Sequence, residues 1–112
     1  MKVAQLLPEL NFGGVERGTV DLANFLVSQG HDAVVISAGG VLERELDTEV
    51  KSLQIPISKK SLSALMQFKA LKKILHEEKP DIVHVRARFP DWIYLLATRG
   101  MPNHQKPVLV ST

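Results

Sequence analysis

Two adjacent glycines, Gly13 and Gly14, stand in the stretch LNFGGVERGTVDLANFL (residues 10–26), just before a run with helical spacing. Lacking Cβ atoms, such a pair reaches left-handed dihedrals and lets a bulky group approach the backbone amides. A helix starting near Val15 adds unpaired N–H groups and the positive end of its dipole. That mouth suits a phosphate or diphosphate. The same pair also serves a plain strand-to-helix turn, and two glycines alone do not separate the two uses. A Walker loop needs a Gly-Lys-Ser/Thr ending, which GGVERGT lacks. A dinucleotide fingerprint needs G-x-G-x-x-G and an acidic residue after the second strand. Here the glycines are Gly13, Gly14 and Gly18, and Ser37, Ala38 and Gly39 follow the second strand, so NAD is disfavoured twice.

A second group follows the apolar run DIVHV. Arg86, Arg88, Phe89 and Trp92 combine guanidinium groups that fork to phosphate or carboxylate with rings that stack on a sugar. An anionic acceptor fits that combination; a solvated arginine pair beside core aromatics is the plainer alternative. His84 lies within the apolar run and reads as a packed, hydrogen-bonded histidine. His31, His76 and His104 have no partners at metal-ligand spacing, and no metal site is expected. Glu16 falls in the first helical turn, where a carboxylate complements the dipole.

Short apolar runs and longer amphipathic ones must position these groups. KVAQLL reads as a buried strand, residues 15–29 as a helix ended by Gly30, and DAVVISA as a second strand bounded by Gly39 and Gly40. VLERELDTEVKSL reads as a short helix and QIPIS as an edge strand tolerating Pro56. A long helix, SLSALMQFKALKKILHEEK, stops at Pro80, and DIVHV is the third strong strand. FPDWIYLLATRG is a helix with Pro90 near its first turn, and KPVLVST is the last strand. Strands alternating with helices imply right-handed βαβ units, hence an α/β, doubly wound, mostly parallel sheet in three αβα layers. Ligands of such sheets collect beyond the carboxyl ends of the strands.

In the first helix, Val15, Leu22, Ala23, Phe25 and Leu26 share one face, with Arg17, Asp21, Asn24 and Ser28 opposite. Gly18 costs helix stability, and close packing against a strand is its expected use. In the long helix, Ala64, Phe68, Leu71 and Leu75 form the core face. Leu62, Met66, Lys69 and Lys73 gather on the other side, a mixture that an interfacial helix uses on an anionic bilayer, though a solvated lysine face is the commoner outcome.

Composition sets the bounds. The 112 residues, 45% hydrophobic and 23% charged, fit one globular domain over residues 1–112. With 14 basic and 12 acidic side chains, a formal +2, overall charge gives no reason to expect a nucleic-acid partner. The absence of cysteine removes disulfides and thiolate metal sites and favours a reducing, cytoplasmic setting. The N-terminal MKVAQLLPEL lacks signal-peptide features, and no apolar run is long enough to span a membrane.

LLPELNFGGVERGTVDLANFLVSQGHDAVVISAGG, KPDIVHVRAR and KPVLVST, in that order, resemble the N-terminal domain of glycosyltransferases of the GT-B fold, family four. Within that group the similarity is greatest to bacterial enzymes of lipopolysaccharide and other surface-polysaccharide assembly. The most specific pieces are the Gly-Gly-Val-Glu-Arg turn, the Gly-His before the second strand, the Gly-Gly after it, and the Arg-x-Arg after DIVHV.

The resemblance implies transfer of a sugar from a nucleotide-sugar donor, with retention at the anomeric carbon and no required metal or other cofactor. It also implies two Rossmann-like domains across a cleft, the N-terminal one holding mainly a glycolipid or polysaccharide acceptor. The family's glycine turn lies against the donor diphosphate, which maps onto Gly13 and Gly14, and Arg17 matches the basic residue after it. Acceptor binding then falls to Arg86, Arg88 and Trp92. The family's second domain, with its glutamate pair and nucleotide pocket, has no counterpart in these residues, nor has a histidine near the reacting sugar. Transfer by this chain alone is therefore not expected, because one wall of a cleft does not hold both substrates. The implied setting is the cytoplasm or the inner face of its membrane. The rival reading is a noncatalytic phosphate- or cofactor-binding α/β module, or the remnant of a truncated gene.

Overall fold

The computed structural model describes residues 1–11, 13–57, 66–86, 88–102 and 106–111, without the side chains at positions 88, 89 and 91. Five strands, β1 (Lys2–Leu6), β2 (Asp32–Ser37), β3 (Lys51–Gln54), β4 (Ile82–Val85) and β5 (Val108–Ser111), form one sheet in the order β3-β2-β1-β4-β5. Every pairing is parallel. The order reverses beside β1, which puts the loop after β1 at the switch point between the two wings of the sheet. Among the described residues three α-helices, α1 (Gly14–Ser28), α2 (Phe68–Glu78) and α3 (Arg88–Thr98), cover it. The Rossmann-like α/β architecture read from the strand and helix alternation is thus the observed one.

The two faces bury separate clusters. Ala4, Leu6, Val34 and Val83 face Leu71 and Leu75 of α2 and Ile93, Tyr94 and Ala97 of α3. Ala33 and Val35 face Val20 and Ala23 of α1, together with Leu7, Leu10 and Leu42 from the loops. Strands covered on both sides need no polar alternation, which explains the near-continuous apolar runs. α2 ends where Lys79 turns left-handed, at φ 46°, and Pro80 follows.

Three details differ from expectation. The helix expected over VLERELDTEVKSL is only a 3₁₀ turn, Val41–Glu45. Asp47 ends it, because its carboxylate accepts from the Glu49 amide at 2.9 Å and its carbonyl from Val50 at 3.0 Å, a local turn that competes with helix. Consequently the edge strand starts earlier, at Lys51, and Pro56 lies outside its pairing. The third difference concerns α1, which buries Thr19, Val20 and Ala23 while Val15 and Phe25 stay exposed, Phe25 at 60%. On its polar side Arg17, Asp21 and Ser28 are exposed, but Asn24 donates to the Glu45 carbonyl at 2.9 Å and accepts from the Asp47 amide at 2.7 Å. Seating that side on the 3₁₀ turn rotates Phe25 outward.

In the long helix, Leu71 and Leu75 are buried with Phe68 packed beside them, and Met66, Lys69 and Lys73 are exposed, as the spacing required. Leu62 and Ala64 lie outside the described residues. Along β5, Val108, Leu109 and Val110 are exposed, and so are Trp92 and Leu95 on α3.

Candidate functional site

The loop leaving β1 is seated on the loop leaving β2. Leu7 donates to the Ile36 carbonyl at 3.1 Å, Ala38 to Pro8 at 2.9 Å, Leu10 to Gly39 at 3.0 Å and Leu42 to Leu10 at 2.8 Å. This ladder carries the β1–β2 pairing beyond the strands and buries Leu7 and Leu10 completely. Gly40 makes the approach possible, since a Cβ there would collide with the Leu10 carbonyl and stand 2.8 Å from the Asn11 nitrogen. The sequence marks Gly39 and Gly40 as a strand boundary; their larger use is to support the first loop.

From that support the chain turns into α1. Gly13, at φ 155°, precedes the helix with no side chain capping it. Its carbonyl accepts the Arg17 amide at 2.9 Å, and the first-turn amides ahead of Arg17 have no intrahelical acceptor. A Cβ on Gly14 would meet nothing within 4 Å, so the helix mouth is open at that residue. Glu16 folds back over it, its carboxylate oxygens 2.8 and 3.0 Å from where a Gly13 Cβ would stand. A carboxylate is stabilised there by the helix dipole, as read from its place in the first turn.

Arg86 completes this edge. Its amide donates to the Leu6 carbonyl at 2.9 Å, extending the β4–β1 pairing by one residue. Its Nε donates to Gln5 Oε1 at 2.7 Å, and Gln5 Nε2 donates to the Thr19 carbonyl of α1 at 3.0 Å. Burial weakens the hold of Arg86 on its proton, though a guanidinium remains charged throughout the working range. With Leu7, Pro8, Glu9, Val15 and Glu16 it lines a cleft of about 230 Å³. Gly18 lies beneath the guanidinium, with Nη1 3.6 Å from where its Cβ would stand, an ordinary contact, and the close packing against a strand expected of this glycine is not observed.

The other residues singled out in the sequence occupy different places. Arg17 Nη1 is 2.8 Å from Glu45 Oε1 and Nη2 is 3.5 Å from Asp21 Oδ1, and it does not line the cleft. Those carboxylates raise its pKa further, the Glu45 hydrogen bond foremost. Arg88 begins α3, two residues beyond Arg86, with its side chain outside the description, as is that of Phe89. Trp92 is 60% exposed on α3, so it is not a core residue. His84 is half-buried, in register between Gln5 and Val110, and burial followed by the charge of Arg86 pushes its pKa down. Among the described residues no His, Asp and Glu cluster could hold a metal ion, and His104 lies outside them. A larger cavity, about 680 Å³, opens between Leu75, Lys79, Asp81, Met101 and Lys106. It adjoins the amino ends of β4 and β5, the edge opposite the glycine turn.

Gln5 escaped the sequence reading because it was absorbed into an apolar strand. The available signal was a lone amide inside KVAQLL, which a doubly buried strand does not carry without a partner.

Comparisons with known proteins agree with this fold. The model of Glycosyltransferase Family 4 matches residues 12–112. A solved glycosyltransferase from Rickettsia africae is 34% identical, superimposes with a TM-score of 0.78, and is matched over 98% of this chain and 28% of its own. A Campylobacter jejuni protein, GalNAc-alpha-(1->4)-GalNAc-alpha-(1->3)-diNAcBac-PP-undecaprenol alpha-1,4-N-acetyl-D-galactosaminyltransferase, is 32% identical over 88 residues, 73% of this chain and 24% of its own. The chain therefore spans about a quarter of the length of these two relatives. By the family match, and with the Rossmann-like fold expected of a GT-B N-terminal domain, the chain belongs to glycosyltransferase family 4.

Proposed function

We propose that residues 1–112 form the N-terminal, acceptor-side domain of a retaining glycosyltransferase that moves a sugar from a nucleotide-sugar donor to a lipopolysaccharide or polysaccharide acceptor. The observation carrying this reading is a cleft at the carboxyl edge of the sheet that Arg86 lines together with Val15 and Glu16 of the first turn of α1, directly after Gly13 and Gly14. The amides at Gly13 and Gly14 face the donor diphosphate, whose negative charge grows as the sugar departs and which fixed dipoles stabilise without reorganising. Arg17, held by Glu45 and Asp21, is the outlying member of the donor set. Arg86, Arg88 and Trp92 receive the acceptor. The Campylobacter relative is named for a PP-undecaprenol-linked acceptor, and a diphosphate of that kind is an anion that a guanidinium suits.

A donor-side domain closes the other wall of the cleft and supplies the nucleotide pocket. The exposed edge of Val108, Leu109 and Val110 supports further packing, since an unpaired strand edge invites another strand. Among the described residues no helix is long and apolar enough to cross a membrane. Peripheral contact through Met66, Lys69 and Lys73 fits a lipid-linked acceptor at the inner face of the cytoplasmic membrane.

The experiment pairs this chain with a donor-side domain and follows sugar transfer from a nucleotide sugar to a lipid-linked acceptor. Transfer that needs both parts is the expected result. No transfer, together with tight binding of a free phosphate-bearing cofactor by this chain alone, would support a noncatalytic module instead.

A further inference from the structure

We propose that Gln5 is a positioning residue that holds the Arg86 guanidinium beside the first turns of α1 to receive a diphosphate group. The inference rests on the anion-binding reading of the cleft given above and assigns a part to a strand residue that touches no ligand.

Gln5 is 1% exposed at the centre of a parallel sheet, paired with β2 and β4 on either side. A buried amide is costly unless both of its ends are bonded. Both are, and to groups from two different elements. Arginine only donates, so the Gln5 oxygen must face Arg86 and its nitrogen must face the Thr19 carbonyl. Thr19 is fixed in turn, fully buried with its hydroxyl donating to the Val15 carbonyl at 2.8 Å. One amide therefore ties the guanidinium to the helix whose mouth forms the other side of the cleft.

The chemistry of the tie matters as much as its geometry. Nε is consumed by a neutral oxygen, and among the described residues no side chain accepts from the Nη donors. Among the described residues no carboxylate lies within ion-pair distance of Arg86, whereas Arg17 has two such partners. A half-buried cation held by an amide keeps its full charge for a ligand. Glutamate at position 5 would hold it equally well and cancel it.

The test uses the ¹⁵N-labelled chain and inorganic pyrophosphate as probe. In the unaltered chain, Arg86 gives a slowly exchanging, shifted Nε–H signal, identified by its loss in Arg86→Lys. Gln5→Met abolishes that shift and weakens pyrophosphate roughly tenfold, as Arg86→Lys does. The double variant is within about twofold of Arg86→Lys, because both act through one group. Gln5→Glu keeps the signal and loses the affinity. Should Gln5→Met lose its folded spectrum, Gly18→Leu carries the test: it crowds the guanidinium from the helix side with Gln5 intact, and the same losses are expected. Uridine diphosphate and farnesyl diphosphate form the remaining arms, and the tighter of the two identifies the donor or the lipid side as the source of the diphosphate.

An unmoved Nε–H signal and unchanged affinity in Gln5→Met, with pyrophosphate bound normally by the unaltered chain, overturn the positioning role and leave the anion site standing. A normal Nε–H signal with no pyrophosphate binding overturns the anion site itself, and the positioning role with it.

Discussion

The carbonyl of Leu10 occupies the space that a Cβ on Gly40 would need, so the loops leaving β1 and β2 meet backbone to backbone. The first loop owes its shape to this contact and to the four hydrogen bonds that flank it. The glycine turn at residues 13 and 14 follows this joined pair of loops in the chain.

Gly40→Ala tests that dependence. Its Cβ forces the two loops apart, at a cost of about 1–3 kcal/mol, which urea unfolding will register. Gly14→Ala meets open space and should stay within about 0.5 kcal/mol of the unaltered chain.

Gly18→Ala should stabilise. Alanine is favoured over glycine in a helix interior by about 1 kcal/mol, and its Cβ makes an ordinary contact at 3.6 Å with Arg86 Nη1. A rise in the thermal midpoint with pyrophosphate binding retained is the expected outcome; a fall would show that the guanidinium needs still more room.

Glu78 links the start of β1 to β3, with Lys51 Nζ 2.6 Å and Lys2 Nζ 3.2 Å from its carboxylate oxygens. The Lys51 hydrogen bond chiefly holds its pKa below the ordinary 4.5, with Lys2 adding to the effect against partial desolvation. A lowered carboxylate pKa contributes stability above the unfolded value, and that stability is lost as pH falls through the folded one. Lys51→Ala should bring the Glu78 titration, followed by carboxyl-carbon NMR, back up toward 4.5. It should cost up to about 1 kcal/mol at neutral pH and narrow the stability difference between neutral and acid.

The alternation of KVAQLL, DAVVIS, DIVHV and VLVS with amphipathic runs made the parallel sheet legible, because strands covered on both faces lose their polar positions. The glycine turn and its place at the carboxyl edge followed from that topology. The face of α1 did not, since periodicity ranks faces by apolar content and could not register that Asn24 and Arg17 are claimed by the 3₁₀ turn. The tie between Gln5 and Arg86 spans 81 positions, a separation at which no local pattern operates. Gly40 carried no sign of its steric duty for the same reason.

The central claim is that the turn at Gly13 and Gly14 takes the donor diphosphate beside the cleft that the guanidinium of Arg86 lines. Titrating the ¹⁵N-labelled chain with uridine diphosphate and mapping the amide shifts tests it most directly. Saturable shifts at Gly13, Gly14, Val15 and Arg86 are predicted. Shifts centred instead on Lys79 and Lys106 at the opposite edge, or none at all, would contradict it.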